Sequence, residues 1–98
     1  MLDEARIAEI AREVAREKLT PKWFKDVLVE PAVDSSGNDA VRITIIITPV
    51  AVRRLRGEAV LDTLVELRNC LDAEGEVRFP IVEYATQEEL AASGDPES

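Results

Sequence analysis

The segment Val41-Arg42-Ile43-Thr44-Ile45-Ile46-Ile47-Thr48 leaves little choice of local structure. Five of its eight residues are β-branched aliphatics and two more are threonine. Such side chains lose rotamer freedom in a helix but stand comfortably on a pleated surface. The segment therefore reads as a strand. With a period of two, Val41, Ile43, Ile45 and Ile47 share one face and Arg42, Thr44, Ile46 and Thr48 the other. The first set is expected to be core.

At 98 residues the chain is long enough for one domain, which typically buries roughly 60–70% of its unfolded surface. The domain is expected over residues 1–92, with 93–98 as a disordered tail. Hydrophobic residues make up 46% and charged residues 33%, the balance of an ordinary globular protein. The lone Cys70 has no partner for an internal disulfide and fits a reducing compartment. No apolar run approaches the roughly 18–20 residues of a membrane span, and Met1-Leu2-Asp3-Glu4 opens a charged segment rather than a signal peptide. A cytoplasmic location is expected. The net charge of −8 disfavours non-specific binding to nucleic acid, which depends on neutralising phosphates. The absence of histidine removes the commonest general base, the Ser/His/Asp triad and every zinc site that needs an imidazole.

Around the isoleucine strand the pattern alternates between helical and extended. From Leu2 to Leu19, Ile7, Ile10, Ala11 and Val14 recur at helical spacing, and Asp3/Arg6, Arg6/Glu9, Glu9/Arg12 and Glu13/Arg16 are opposite charges at i,i+3. Thr20-Pro21 should end this helix. Trp23 to Asp34 reads as a strand with Val27, Val29 and Val33 on one side and Leu28, Glu30 and Ala32 on the other; Pro31 weakens it and points to an edge, an unpaired side or a bulge. The turn formers Asp34-Ser35-Ser36-Gly37-Asn38-Asp39 join it to the isoleucine strand. Val50 to Gly57 has no clear period and fits a loop or a short helical turn. Glu58 to Ala73 is helical again, with Val60, Leu61, Leu64, Leu67 and Leu71 as its stripe and Cys70 beside them. Glu74-Gly75 ends it. Val77 to Ala85 is the third strand, and Pro80 again points to an edge. Thr86-Gln87-Glu88-Glu89 is a capping box opening a helical turn to about Ala92. The order helix, strand, strand, helix, strand predicts an α+β two-layer sandwich, with both helices on one face of a three-stranded sheet.

That arrangement leaves a second sheet face, to which Leu28, Thr44, Ile46, Val82 and Tyr84 are assigned. Exposed apolar area of this kind marks an interaction surface, unless Trp23-Phe24, the Val50–Leu55 stretch or the C-terminal turn folds over it. A second candidate is the local charge reversal Arg53, Arg54 and Arg56, with Lys18, Lys22 and Lys25 nearby, suited to a phosphate or an acidic partner or to a solvated loop. The acidic turn lacks the ligand spacing of a calcium loop and reads as turn chemistry. No metal or cofactor is expected. Cys70 reads as an inert, buried thiol, and Trp23-Phe24 as core or, alternatively, an exposed anchor. A pocket holding Glu30 or Glu83 beside Arg42 or Arg78 is the arrangement that would favour an enzyme.

The element order, with Ala40-Val41-Arg42-Ile43-Thr44 on the second strand and Arg78-Phe79-Pro80-Ile81-Val82 on the third, resembles ribosome-binding factor A and the type II KH-like fold. That resemblance implies contact with RNA, although Arg56-Gly57-Glu58-Ala59 stands where a KH domain carries GxxG. The stretches Val29-Glu30-Pro31-Ala32-Val33-Asp34, Val41-Arg42-Ile43-Thr44 and Gly75-Glu76-Val77-Arg78-Phe79-Pro80 are similar to short bacterial proteins of two-gene operons. This second resemblance implies an acidic, antitoxin-like or accessory binding partner. The leading expectation is a non-enzymatic protein-binding module, a homodimer or the acidic half of a small complex; the alternative is a KH-like RNA- or ribosome-associated protein.

Overall fold

Asp3 opens the first helix. Its carboxylate accepts the Arg6 N–H at 2.8 Å, satisfying one of the donors that a helix N-terminus leaves unpaired. The computed structural model describes residues 2–19 and 21–93. Its elements are α1 (Glu4–Lys18), β1 (Phe24–Val33), β2 (Asp39–Ile47), α2 (Pro49–Arg54), α3 (Gly57–Ala73), β3 (Phe79–Ala85) and α4 (Gln87–Ser93). This is the expected α+β layout; the stretch after β2, which fitted a loop or a short helical turn, is helical as α2, and the helical turn expected after Thr86 is α4. The sheet order is β1-β2-β3, antiparallel between β1 and β2 and parallel between β2 and β3. The isoleucine strand is therefore central, and Pro31 and Pro80 sit on the two outer strands, where a missing amide donor is tolerated.

The core lies between the sheet and the helix pair α1 and α3, which pack against each other. Val41, Ile43, Ile45 and Ile47 face it from β2, Ile7, Ile10, Ala11, Val14 and Ala15 from α1, and Leu67 and Leu71 from α3. On β1 the register shifts between Phe24 and Asp26. The extra residue there, Lys25, lets Phe24 and Val27 both turn toward the core despite their odd spacing.

Several charges expected to pair along α1 go elsewhere. Arg6 does reach Glu9, at 3.2 Å, but Arg12 donates to Asp26 on β1 at 2.9 Å and Arg16 lies over the Phe24 ring at 5.9 Å. The Arg12 guanidinium holds the Asp26 carboxyl below the usual range. A solvated i,i+3 pair is worth only a few tenths of a kcal/mol, so a partner fixed on a neighbouring strand competes easily. Thr20, the expected stop, is outside the described residues.

The unassigned stretch after β2 is helical for a local reason. Thr48 Oγ1 accepts the Ala51 N–H at 3.2 Å and Pro49 occupies the first turn, the two strongest start signals short of a capping box. On α3 the buried residues are Thr63, Leu67 and Leu71, whereas Val60, Leu61 and Val65 are exposed. The expected stripe is thus rotated. Apolar residues cover more than half of this helix, and packing on α1 selects which of them are buried.

The α3–β3 connection is held by an ion pair that alternation alone does not reveal. Glu76 Oε2 accepts from Arg78 Nε at 2.9 Å and from the Arg78 backbone N–H at 2.9 Å. The same pair reaches the chain start: Leu2 N–H donates to Glu76 Oε1 at 2.9 Å and Arg78 donates to the Leu2 carbonyl at 3.0 Å. The Arg78 guanidinium holds the Glu76 carboxyl down to about 2. Arg6 and Glu74 pair alongside. The third strand accordingly begins at Phe79 rather than Val77. At the other end α4 runs to Ser93; the rest of the expected tail, residues 94–98, is outside the described residues.

Candidate functional site

The two sheet faces differ sharply, and register decides which residue belongs to which. Opposite the buried Ile43 and Ile45 on β2 stand Val82 and Tyr84 on β3, so both point to the helix-covered face and pack on the core. Assigning Val82 and Tyr84 to the open face is therefore corrected. Alternation along β3 separates Val82 and Tyr84 from Ile81 and Glu83 but does not say which pair looks at the helices. Burial pushes the Tyr84 phenol up, beside Thr63.

Leu28, Thr44 and Ile46 do lie on the open face. Leu28 is half-exposed, but Thr44 and Ile46 are each only 7% exposed. Helix α4 borders this face: Glu89 and Leu90 line the same open trough, of about 910 Å³, as Leu28, Thr44 and Ala85. Of the three segments that could fold over this face, the C-terminal one does so in part, while Trp23 and Phe24 pack against the core. The capping box positions it: Thr86 N–H donates to Glu89 Oε1 at 2.9 Å and Glu89 N–H to Thr86 Oγ1 at 3.1 Å.

Across the trough floor runs a ladder of charges from all three strands. Arg42 on the central strand donates to Glu30 Oε1 on β1 at 3.3 Å and lies 3.7 Å from Glu83 Oε2 on β3. This is the juxtaposition of Glu30, Glu83 and Arg42 that would favour an enzyme. Its setting is open: the Glu30 and Glu83 side chains are 60% and 52% exposed. Arg78, the other residue named for that role, is committed to Glu76. The arrangement offers charged recognition.

The three arginines after β2 do not form one patch. Arg54 and Arg56 line a shallow cavity of about 330 Å³ with Lys18 and Trp23, and Glu58 and Asp62 share its wall. Arg53 faces another hollow with Glu88 and Glu89. Lys22 and Lys25 are exposed. In the acidic turn, Asp34 Oδ1 accepts the N–H groups of Ser36 and Asn38 at 2.8 and 2.9 Å, and Gly37 adopts φ +86°, a conformation glycine supplies at little cost. Its chemistry is that of a turn. Cys70 is partly buried, with Sγ 3.5 Å from Glu66 Oε2; burial and then that carboxylate push its thiol up, which disfavours the nucleophilic thiolate. Among the described residues no three metal-ligating side chains converge, and no helix is long and apolar enough to cross a membrane.

No protein-family model, curated protein or solved structure matches this chain. The geometry of its surfaces therefore carries the functional reading. Sequence reasoning left α4 as one of three segments that could cover this face, without choosing among them. The capping box at Thr86 and the apolar Leu90 were its signals, but nothing local says where so short a helix will lie.

Proposed function

We propose that this chain is a non-enzymatic protein-binding module that takes an apolar, basic segment of a partner onto the open face of its sheet. The observation that carries this reading is the lining of the trough: Leu28 and Leu90 offer apolar contact, Glu30 and Glu83 flank the guanidinium of Arg42, and Glu89 shares the lining. A cationic side chain flanked by aliphatic ones satisfies both. The net charge of −8 would steer such a partner toward the protein. The resemblance to proteins of two-gene operons points the same way, and a cytoplasmic setting belongs to the same reading. Expression together with the product of the adjacent gene tests it. A complex should co-purify, and Leu28→Arg should weaken it about tenfold or more while circular dichroism stays unchanged. A complex indifferent to Leu28→Arg, or no complex, would overturn the proposal.

The cluster of Lys18, Trp23, Arg54 and Arg56 favours a second reading, an RNA-associated protein of KH-like topology. Three cations beside an aromatic ring suit a single strand, set against Glu58 and Asp62 in the same cavity. This reading predicts RNA affinity that falls steeply with salt and is lost in Arg54→Glu. Absence of a gel shift at low ionic strength would dismiss it.

A further inference from the structure

The outer side of α3 carries a second seam that the fold does not use. Glu58, Leu61, Val65 and Arg68 follow one another at intervals of three, four and three residues, the spacing that keeps side chains in line along one helix face. All four are exposed, with Leu61 and Val65 at 58% and 48%. The core-facing side of the helix, Thr63, Leu67 and Leu71, is already occupied. Among the described residues neither Glu58 nor Arg68 belongs to an ion pair. Arg68 lies over the ring of Phe79 at 5.2 Å, which keeps the guanidinium on the β3 side and adds a half-exposed aromatic to the patch.

We propose that two copies of this chain associate through this seam, with α3 of one packed antiparallel on α3 of the other about a two-fold axis level with Thr63. The order of the seam argues for a second copy as the occupant. It reads acid, apolar, apolar, base, and one midpoint relates Glu58 to Arg68 and Leu61 to Val65. The two-fold operation therefore sets Glu58 of each copy against Arg68 of the other and Leu61 against Val65. Self-complementarity of this kind is what an isologous contact requires. A parallel pairing would instead set Glu58 beside Glu58 and Arg68 beside Arg68.

The seam is about 15 Å long at 1.5 Å per residue. The area it covers falls below the roughly 1,200 Å² of a standard interface, so the dimer is concentration-dependent. It lies on α3, away from the trough, and does not rest on the reading given to that face.

Sedimentation equilibrium of the purified chain over a wide concentration range is the test. The wild type should pass from monomer to dimer, and Leu61→Glu should remain monomeric throughout. Glu58→Arg and Arg68→Glu, each of which sets like charges together, should each weaken the dimer about tenfold. Combining the two should restore association, a rescue that misfolding does not produce. A wild type that stays monomeric at every concentration would overturn the proposal, including the case in which a different protein binds the seam. So would a dimer unaffected by Leu61→Glu, or charge reversals that fail to compensate.

Discussion

Arg78→Ala should cost about 3–5 kcal/mol of folding stability, the range for breaking a buried ion pair and leaving one charge uncompensated. The pair qualifies as buried: the side chains of Arg78 and Glu76 are 11% and 0% exposed. Losing the guanidinium strands the Glu76 carboxylate and removes the bond to the Leu2 carbonyl, so the start of the chain loosens as well. Urea unfolding followed by circular dichroism measures the loss, and a midpoint shift worth less than about 1 kcal/mol would place the pair with exposed bridges instead. The pH dependence carries a sign. Glu76 is held from 4.5 down to about 2 in the folded protein, so its contribution is fully present above about 4.5 and disappears as pH falls toward 2. In Arg78→Ala the carboxyl loses the largest cause of its depression, and the acid-side slope of stability in that window should flatten.

Ile43→Ala should cost about 2–5 kcal/mol through lost transfer free energy and the cavity left behind. Ile43 is fully buried in the central strand, between Val29 on β1 and Val82 on β3, where both sides are already paired and little collapse is available. Against a typical total of about 5–15 kcal/mol, that change brings the domain near its unfolding threshold. Ile43→Val, which deletes one methyl group, should cost only about 0.5–1.5 kcal/mol. Thermal and urea denaturation of the two variants checks both values; equal small losses would mean that the strand is not the packing centre of the core.

These predictions rest on features of unequal legibility. The isoleucine strand, its buried face and the two proline-bearing edges were readable locally, because β-branched alternation and a missing amide donor act over one or two residues. Helix α2 was also within reach: Thr48-Pro49 is a start signal, obscured by the irregular pattern of Val50 to Leu55. The burial of Glu76 and Arg78 was out of reach, since the bonds they make to Leu2, distant in sequence, join two ends of the chain at one corner. In the candidate site, Leu28 was placed correctly, while Val82 and Tyr84 were placed on the wrong face of the sheet.

By itself the sequence determined the class of the fold, the central strand, the places where chain direction changes, and the absence of imidazole chemistry, all consequences of residue-level preferences. Only the tertiary structure decided which face of β3 meets the helices, which side of α3 is left bare, and which carboxylates surround Arg42. The reason is physical. Periodicity specifies that an element has two faces, but the choice between them is made by register and by long-range packing, and it is the faces left over that become the surfaces for binding.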